Sequence, residues 1–228
     1  MNQSQPCEAR PHKQLEQPVY HIWNRGVDGR PIFLDDRDHL RFLSTLEHFN
    51  TAQQVWHDRG VIREARPHND SLVAIVAHTE LDNHFHIIAQ EIVPGGITRF
   101  FHKIGTGYVM YFNKRHGRRG RLFENSFNHK PVDSDTYLQH LLAYVHLNVL
   151  DRYTKQWREG LLSDWEQAER ELRRYPWSSA RYYCNPINED HLIHRAAVQQ
   201  LFDHDVIEGH LSYIRSWIQR DARSFFPL

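Results

Sequence analysis

The chain has 228 residues, of which 40% are hydrophobic and 12% aromatic, and this composition suits a globular protein with a substantial core. Every apolar run is shorter than the roughly 20 residues that a membrane helix needs. Two cysteines exclude a disulfide scaffold and a cysteine-rich zinc site. The polar stretch from Met1 to Gln17 lacks the apolar segment of a secretory signal. We therefore expect a cytoplasmic protein that enters no membrane.

The charge is unevenly distributed, although the formal net charge is zero. Residues 99–130 carry eight Lys or Arg side chains and one Glu, and the flanking stretches are acidic. Basic side chains follow phosphates, and the interleaved aromatic rings can stack on unpaired bases. The segment predicts a DNA-binding surface, with a solvated basic helix end as the plainer alternative. The candidates are Lys103, Lys114, Arg115, Arg118, Arg119 and Arg121, with Asn24 and Arg25 as weaker candidates.

The first half of the chain predicts two strand regions separated by a helix. Alternating apolar and polar residues over 18–25 indicate a strand that ends at Gly26. Helical spacing of apolar residues follows from Asp35 to Asn50. Residues 57–70 are charged and read as a loop. Two apolar runs, 72–77 and 84–90, flank turn residues at 81–83 and predict a hairpin.

The second half predicts further helices around one more strand. The predicted elements are a helix from Ile97 to His116, a basic turn at 117–120, a strand from Arg121 to Val132, a helix from Asp133 or Ser134 to about Asp151, a solvated helix over 156–174 and a helical tail from His191. This order predicts an α+β fold, a ferredoxin-like antiparallel sheet with helices packed on it. We expect a domain over residues 18–152 and a C-terminal helical extension over 153–228. The apolar stripe of the tail can cover its own domain or a second copy, so we expect a monomer or a homodimer.

Two histidines alternate with a phenylalanine in the second strand of the hairpin. His84 and His86 share one face of that strand, whereas Phe85 and Ile87 point to the other face, where they suit a core. Two neutral imidazoles side by side can bind a divalent metal if further ligands complete the site. The alternative is a pair of partly exposed histidines with no ligand.

Tyr144 and Asn148 lie one turn apart on the helix that follows the last strand. An amide oxygen is a reasonable third ligand for a hard or borderline cation. A phenol is a poor nucleophile at neutral pH, but a metal that binds the scissile phosphate assists its attack. Attack by tyrosine leaves a covalent phosphotyrosine, which suits strand transfer better than hydrolysis. The alternative is a core tyrosine beside a helix-end asparagine.

Five segments, in this order along the chain, resemble the single-tyrosine HUH transposases, specifically the REP-associated tyrosine transposase group. The name HUH describes histidine, hydrophobic residue, histidine, which here is His84-Phe85-His86 within DNHFHII. The other segments are YHIWNRG at 20–26, YFNKRH at 111–116, GRLFE at 120–124 and YVHLN at 144–148. The resemblance extends over roughly residues 18–220.

The resemblance implies the HUH endonuclease fold and assigns four residues. Tyr144 takes the role of the catalytic nucleophile, and His84, His86 and Asn148 take the roles of ligands for Mg²⁺ or Mn²⁺. The implied substrate is single-stranded DNA, usually with a hairpin, cut to leave a 5′-phosphotyrosine and a free 3′-hydroxyl. The expected function is a metal-dependent single-stranded DNA endonuclease and strand transferase.

Two turns depart from the family pattern. Asp82 stands where the family usually has proline before the motif asparagine, and Val149 stands where proline usually follows the helix asparagine. Both differences affect backbone turns more than ligands, so they bear on the geometry of the site. Two other functions remain open: a catalytically inactive, domesticated DNA-hairpin-binding protein, and a metal-dependent hydrolase in which water replaces Tyr144.

Overall fold

The structure is a computed structural model that describes residues 17–53, 70–185, 189–202 and 208–225. The amino-terminal segment and all but Asp70 of the loop predicted over 57–70 lie outside the described residues. The strands and helices are β1 (Val19–Arg25), α1 (Asp36–Phe49), β2 (Val73–Leu81), β3 (His84–Glu91), α2 (Gly96–Arg115), β4 (Asn128–Pro131), α3 (Asp135–Leu147), α4 (Trp165–Arg174), α5 (Ala180–Cys184), α6 (Arg195–Leu201) and α7 (His210–Arg220). Short 3-10 helices cover Val27–Gly29, Asn148–Arg152, Gln156–Glu159 and Ala222–Ser224.

The four strands form one antiparallel sheet in the order β2-β3-β1-β4. β3 pairs with β1 so that His84 lies opposite Arg25 and His86 opposite Trp23. β1 and β2 therefore run parallel with β3 between them, joined by α1, and α2 makes the equivalent connection between β3 and β4. This β-α-β-β-α-β arrangement is ferredoxin-like. The predicted α+β fold class is confirmed.

Helices cover both faces of the sheet. Phe85 of β3 packs against Phe42 of α1 and Phe101 of α2, with ring centroids 4.9 and 6.5 Å apart. On the other face lies α3, whose Tyr144 ring centroid is 5.5 Å from that of His86. Because successive strand residues point to opposite faces, Phe85 packs beneath α1 and α2, and His84 and His86 lie beneath α3. Buried apolar residues fill both sides of the sheet, including Leu138 and Leu142 of α3.

The start and end of α3 place the two residues singled out on it. Ser134 caps the helix, its Oγ accepting a hydrogen bond from the Tyr137 N–H at 3.2 Å. The α-helix ends at Leu147 and continues as the 3-10 helix Asn148–Arg152, close to the predicted end near Asp151. Val149 is fully buried in this continuation. The backbone therefore stays helical through Asn148 and Val149 and does not turn away at the end of α3.

The strand predicted from Arg121 to Val132 is wrong over its first half. β4 covers only Asn128–Pro131, and within 121–127 a single isolated bridge joins Phe123 to Gly26. The Asn24 side-chain amide donates to the carbonyls of Asn125 and Ser126 at 2.9 and 3.2 Å. Together with the backbone hydrogen bond from the Glu124 N–H to the Arg25 carbonyl at 2.9 Å, these side-chain hydrogen bonds hold the stretch against β1 as a loop.

The single solvated helix predicted over 156–174 is also wrong. The stretch consists of the 3-10 helix Gln156–Glu159 and the separate helix α4. Gly160 ends the first with a φ of 68°, a left-handed conformation that favours glycine. Asp164 then caps α4, accepting from the Gln167 N–H at 2.8 Å. Trp157 is only 1% exposed, so the first piece is packed against the protein rather than solvated.

The C-terminal helices pack on the sheet and on α3. Thr79 of β2 forms an isolated bridge with Ser178, and their hydroxyls lie 2.7 Å apart. The apolar residues of α7 pack within the same chain, and Trp217 is fully buried. Two further apolar residues of the predicted tail, Val206 and Ile207, lie outside the described residues. The domain boundary after residue 152 stays a prediction. Within the described ranges, none of the helices combines the length and the apolar character needed to cross a membrane.

Candidate active site

The two motif histidines lie side by side on β3, facing α3. Their ring centroids are 5.2 Å apart and the rings are nearly perpendicular, at 87°. His86 is 2% exposed, and His84, the first residue of β3, is partly exposed. As the strand alternation predicted, His84 and His86 share one face of β3.

Each imidazole has its Nδ1 atom held by a polar neighbour. His84 Nδ1 lies 2.7 Å from Asn83 Oδ1, and His86 Nδ1 lies 3.0 Å from His21 Nε2. Histidines that bind metals usually donate the other ring N–H to such a partner, which fixes the ring and its tautomer. If both Nδ1 atoms donate, the Nε2 lone pairs of His84 and His86 are available for a ligand. His21, which supports His86 from β1, was not predicted as a site residue.

The turn that contains Asp82 is held by backbone hydrogen bonds. The Asp82 carbonyl accepts from the N–H groups of Ile32 and Phe33 at 2.8 and 3.0 Å, and the Asn83 carbonyl accepts from Gly26 at 2.8 Å. Asn83 also donates its side-chain N–H to the Gly29 carbonyl at 3.0 Å. The turn therefore orients Asn83, and through it His84, without the proline of the family pattern.

Burial keeps these histidines neutral. Burial lowers the pKa of His84 to about 4, opposed by Asp151 and assisted by Arg25. Burial and the neighbouring His21 and His84 rings hold the pKa of His86 well below its usual value. Burial and Lys130 lower the pKa of His21 to about 3. Neutral imidazole is the form that binds a metal, so at neutral pH no proton must leave either ring first.

Tyr144 of α3 and Asn148 of the following 3-10 helix line the same cavity as the two histidines. Tyr144 is 4% exposed, and Asn148 is fully buried. The Asn148 Nδ2 donates to the Tyr144 carbonyl at 2.7 Å, which leaves Oδ1 to face away from the helix. The structure thus brings together the four residues predicted for catalysis and metal binding.

The donor atoms of this group fit a divalent cation. Among the described residues, no three His, Cys, Asp or Glu side chains come together as a metal-binding group, so a metal here would rely on two imidazoles and the Asn148 amide. Asn148 Oδ1 accepts one hydrogen bond, from Arg158 Nη2 at 2.8 Å, and a carbonyl oxygen has a second lone pair. A three-ligand set of this kind leaves coordination positions for water or phosphate oxygens.

These residues line a cavity of about 600 Å³ between the edge of the sheet and the segment after α3. Besides the four predicted residues, its wall contains the cationic side chains Arg25, Arg152, Lys155 and Arg158. Three carboxylates, those of Asp82, Glu124 and Asp151, also line it. A phosphodiester can therefore meet positive charge and the tyrosine in one place. Arg25 is the member of the predicted DNA-binding set whose charge reaches this cavity.

Three of these cations were missed by sequence reasoning. Arg152 and Lys155 lie between the predicted end of the Tyr144 helix and the next predicted element, and Arg158 lies in the stretch 156–174, whose alternating charges predicted a solvated helix. Gly160 and the packed Trp157 fold this stretch back over Tyr144 instead. The adjacency of Trp157 and Arg158 is the one sequence signal, because an arginine beside a buried aromatic residue often stacks on it.

The predicted DNA-binding residues divide into two groups. Lys103 donates to the carbonyls of Thr51 and Gln53 at 2.8 and 3.0 Å, and Arg115 forms ion pairs with Asp35 and Asp38. Asn24 is 1% exposed and holds the loop before β4. These three residues therefore support the fold. At the end of α2 and in the turn beyond it, Lys114, Arg119 and Arg121 are exposed, and Arg118 is half-buried with its guanidinium over the Phe112 ring.

A second groove adjoins the cavity. It has a volume of about 450 Å³ and lies between α2 and the loop before β4, where Phe101 and Phe127 line it. Glu124 contributes to the walls of both the groove and the cavity, and Arg121 lies in the groove. Gly105 has open space where a side chain would begin, so glycine there keeps the groove wide.

The fold and the site define a ferredoxin-like α+β protein with a histidine-asparagine-tyrosine cavity. The chain is similar to a solved structure described as "Structure of the REP associates tyrosine transposase bound to a REP hairpin". The sequence identity is 13%, the TM-score is 0.43, and the alignment covers 89% of this chain and 88% of that chain. No protein-family model matches the chain, and no curated protein matches it.

Proposed function

We propose that the protein is a metal-dependent single-stranded DNA endonuclease and strand transferase with Tyr144 as its nucleophile. The observation that carries the proposal is the convergence of Tyr144, His84, His86 and Asn148 on one cavity lined by cations. A structural role for the two histidines explains their burial but not their position beside the phenol. The motif order that resembles REP-associated tyrosine transposases supports hairpin-containing DNA as the substrate.

The proposed reaction is one transesterification. The Tyr144 phenol oxygen bonds to phosphorus, the bond from phosphorus to the 3′-oxygen breaks, and that oxygen takes up a proton as the phenol loses one. The products are a 5′-phosphotyrosine and a free 3′-hydroxyl, so atoms and charge balance without an oxidant. Attack by a 3′-hydroxyl on the phosphotyrosine reverses the step and joins strands.

His84, His86 and Asn148 would hold Mg²⁺ or Mn²⁺ beside the phosphate. When bound, such an ion withdraws electron density from phosphorus and orients the leaving oxygen. The protein's own contribution is to keep both imidazoles neutral and to hold their rings through Asn83 and His21. Asn148 links this set to the nucleophile, because its amide donates to the Tyr144 carbonyl.

The decisive experiment detects the covalent adduct. The probe is a pool of single-stranded oligonucleotides, each with one stem-loop and randomised flanks, labelled at the 3′ end. It is incubated with Mn²⁺, Mg²⁺ or EDTA and run on denaturing gels. Because tyrosine would capture the 5′-phosphate of the downstream fragment, the 3′ label should migrate with the protein only when metal is present. Tyr144→Phe should abolish the labelled band and leave hairpin binding within about threefold, since only the hydroxyl is removed.

A non-catalytic hairpin-binding protein is the second candidate, and the low exposure of Tyr144, 4%, favours it. That function predicts binding of the probe without cleavage in either metal. Cleavage without a labelled protein band would instead indicate a hydrolase that uses water. A labelled band that survives in Tyr144→Phe would refute the nucleophile assignment.

A further inference from the structure

Among the described residues that line the cavity, Arg158 is the cation that contacts both the proposed nucleophile and a candidate metal ligand. Its guanidinium carbon lies 5.3 Å from the centre of the Tyr144 ring, and its Nη2 donates to Asn148 Oδ1 at 2.8 Å. Its side chain is 31% exposed, so it reaches the cavity and is not sealed in the core. Arg152, by contrast, stacks on Tyr175 at 4.5 Å.

The guanidinium is held in a fixed orientation. Asp151 accepts hydrogen bonds from Arg158 Nε at 3.1 Å and Nη2 at 2.7 Å, and the same carboxylate accepts from Trp157 Nε1 at 2.9 Å. The Trp157 ring also lies beneath the guanidinium, 4.4 Å from its central carbon. A side chain held by these contacts loses little further conformational entropy when it binds an anion.

One nitrogen of the guanidinium lies outside these hydrogen bonds. The hydrogen bonds to Asp151 and Asn148 use Nε and Nη2, so Nη1 is not spent on them. A guanidinium is protonated at any pH at which proteins fold, and the ion pair with Asp151, 2.7 Å from Nη2, stabilises its charge in this partly buried position. The group therefore stays charged, and its planar fork suits an oxygen of a phosphate.

We propose that Arg158 is a catalytic residue that binds a non-bridging oxygen of the scissile phosphate beside Tyr144 and offsets the negative charge that develops during attack. This inference rests on the proposed function and adds a residue to it. Asp151 and Trp157 act as positioning residues for the guanidinium. The group takes part in no proton transfer, so the balance of the transesterification is unchanged.

The first test compares adduct formation by Arg158→Ala, Arg158→Lys and the wild type under single-turnover conditions with saturating hairpin DNA and Mn²⁺. We expect Arg158→Ala to slow the rate constant by about 100-fold, the typical effect of removing one donor to a developing oxyanion. Arg158→Lys should restore part of the rate, because it keeps the charge but not the fork. Arg170→Ala is the matched control, since Arg170 is an exposed arginine of α4 outside the cavity and should keep the wild-type rate.

The second test removes the negative charge of the scissile phosphate instead of the positive charge of Arg158. With a methylphosphonate at the scissile linkage, a non-bridging oxygen and its charge are replaced by a methyl group. The ratio of wild-type to Arg158→Ala rates should then fall from about 100 to below about 5, because no charge is left for the guanidinium to offset. A purely structural arginine would give the same ratio on both substrates.

The outcomes separate the two proposals. If the wild type forms no adduct in Mn²⁺ or Mg²⁺, the proposed function fails and the role of Arg158 fails with it. If the wild type forms the adduct and Arg158→Ala matches its rate, only the role of Arg158 is refuted. If Arg158→Ala loses its thermal unfolding transition, the comparison is made with Arg158→Lys on the two substrates, and an unchanged rate ratio refutes the role.

Discussion

Replacing His21 with phenylalanine removes the hydrogen bond that holds His86 and leaves a ring in its place. The His21 ring stacks on Trp23 and His86 at centroid distances of 4.7 and 5.2 Å, contacts that phenylalanine can keep. What is lost is the 3.0 Å contact between His21 Nε2 and His86 Nδ1. The variant therefore tests whether that contact prepares His86 Nε2 for a metal.

The expected loss of Mn²⁺ affinity is about 10- to 100-fold, which is the usual effect of deleting a hydrogen-bond partner of a ligating histidine. That range corresponds to about 1.4–2.7 kcal/mol of binding free energy. The fold should be less affected, by about 1 kcal/mol, the net contribution of one hydrogen bond. One reason is that His21 Nδ1 is buried without a hydrogen-bond partner among the described residues, so the substitution also removes an unsatisfied polar atom.

The assay is isothermal titration of the DNA-free protein with MnCl₂ at pH 7.5, with urea unfolding in EDTA as the stability check. His102→Phe is the matched control, because His102 is an exposed histidine of α2 outside the cavity. It should bind Mn²⁺ like the wild type, and His86→Ala should bind far more weakly than either. A His21→Phe variant that folds and binds Mn²⁺ within twofold of the wild type would refute the supporting role of His21.

Two further predictions concern stability and DNA binding. Burial lowers the pKa of His210 to about 3 and that of His146 well below its usual value. Below about pH 6.5 the unfolded chain therefore binds protons at these two histidines that the folded protein does not bind. Urea unfolding should show stability falling by about 1.4 kcal/mol per histidine per pH unit below that point, and a flat profile between pH 6.5 and 5.5 would contradict this. Arg121→Ala should weaken hairpin binding and reduce its salt dependence by about one charge, whereas Arg115→Met should lower stability and leave affinity within about twofold, because Arg115 is paired with Asp35 and Asp38. Equal losses of affinity in the two variants, measured by fluorescence anisotropy, would count against this division.

Local patterns predicted the elements that build the sheet. Period-two alternation placed β1, two apolar runs around turn residues placed the hairpin, and helical spacing placed α1, α2 and α3. These patterns follow from which side chains a strand or helix presents to a core. The same reasoning failed for residues 121–127 and 156–174. In the first stretch the Asn24 side chain competes with the strand ladder, and in the second a single left-handed glycine divides a charged run. Neither the Asn24 hydrogen bonds nor the glycine conformation produces a periodic pattern in the sequence.

For the candidate site, the sequence alone determined which residues share a face. His84 and His86 had to project together from one strand, and Tyr144 and Asn148 from one helical stretch, α3 and the 3-10 helix that continues it, because these spacings are set by local backbone geometry. Only the tertiary structure decided that the two pairs meet, through a sheet order that places β3 beneath α3. It also decided the neighbours: His21 comes from β1, and Arg158 folds back after α3. Such contacts join residues far apart in the chain, and they depend on how whole elements pack rather than on any local pattern.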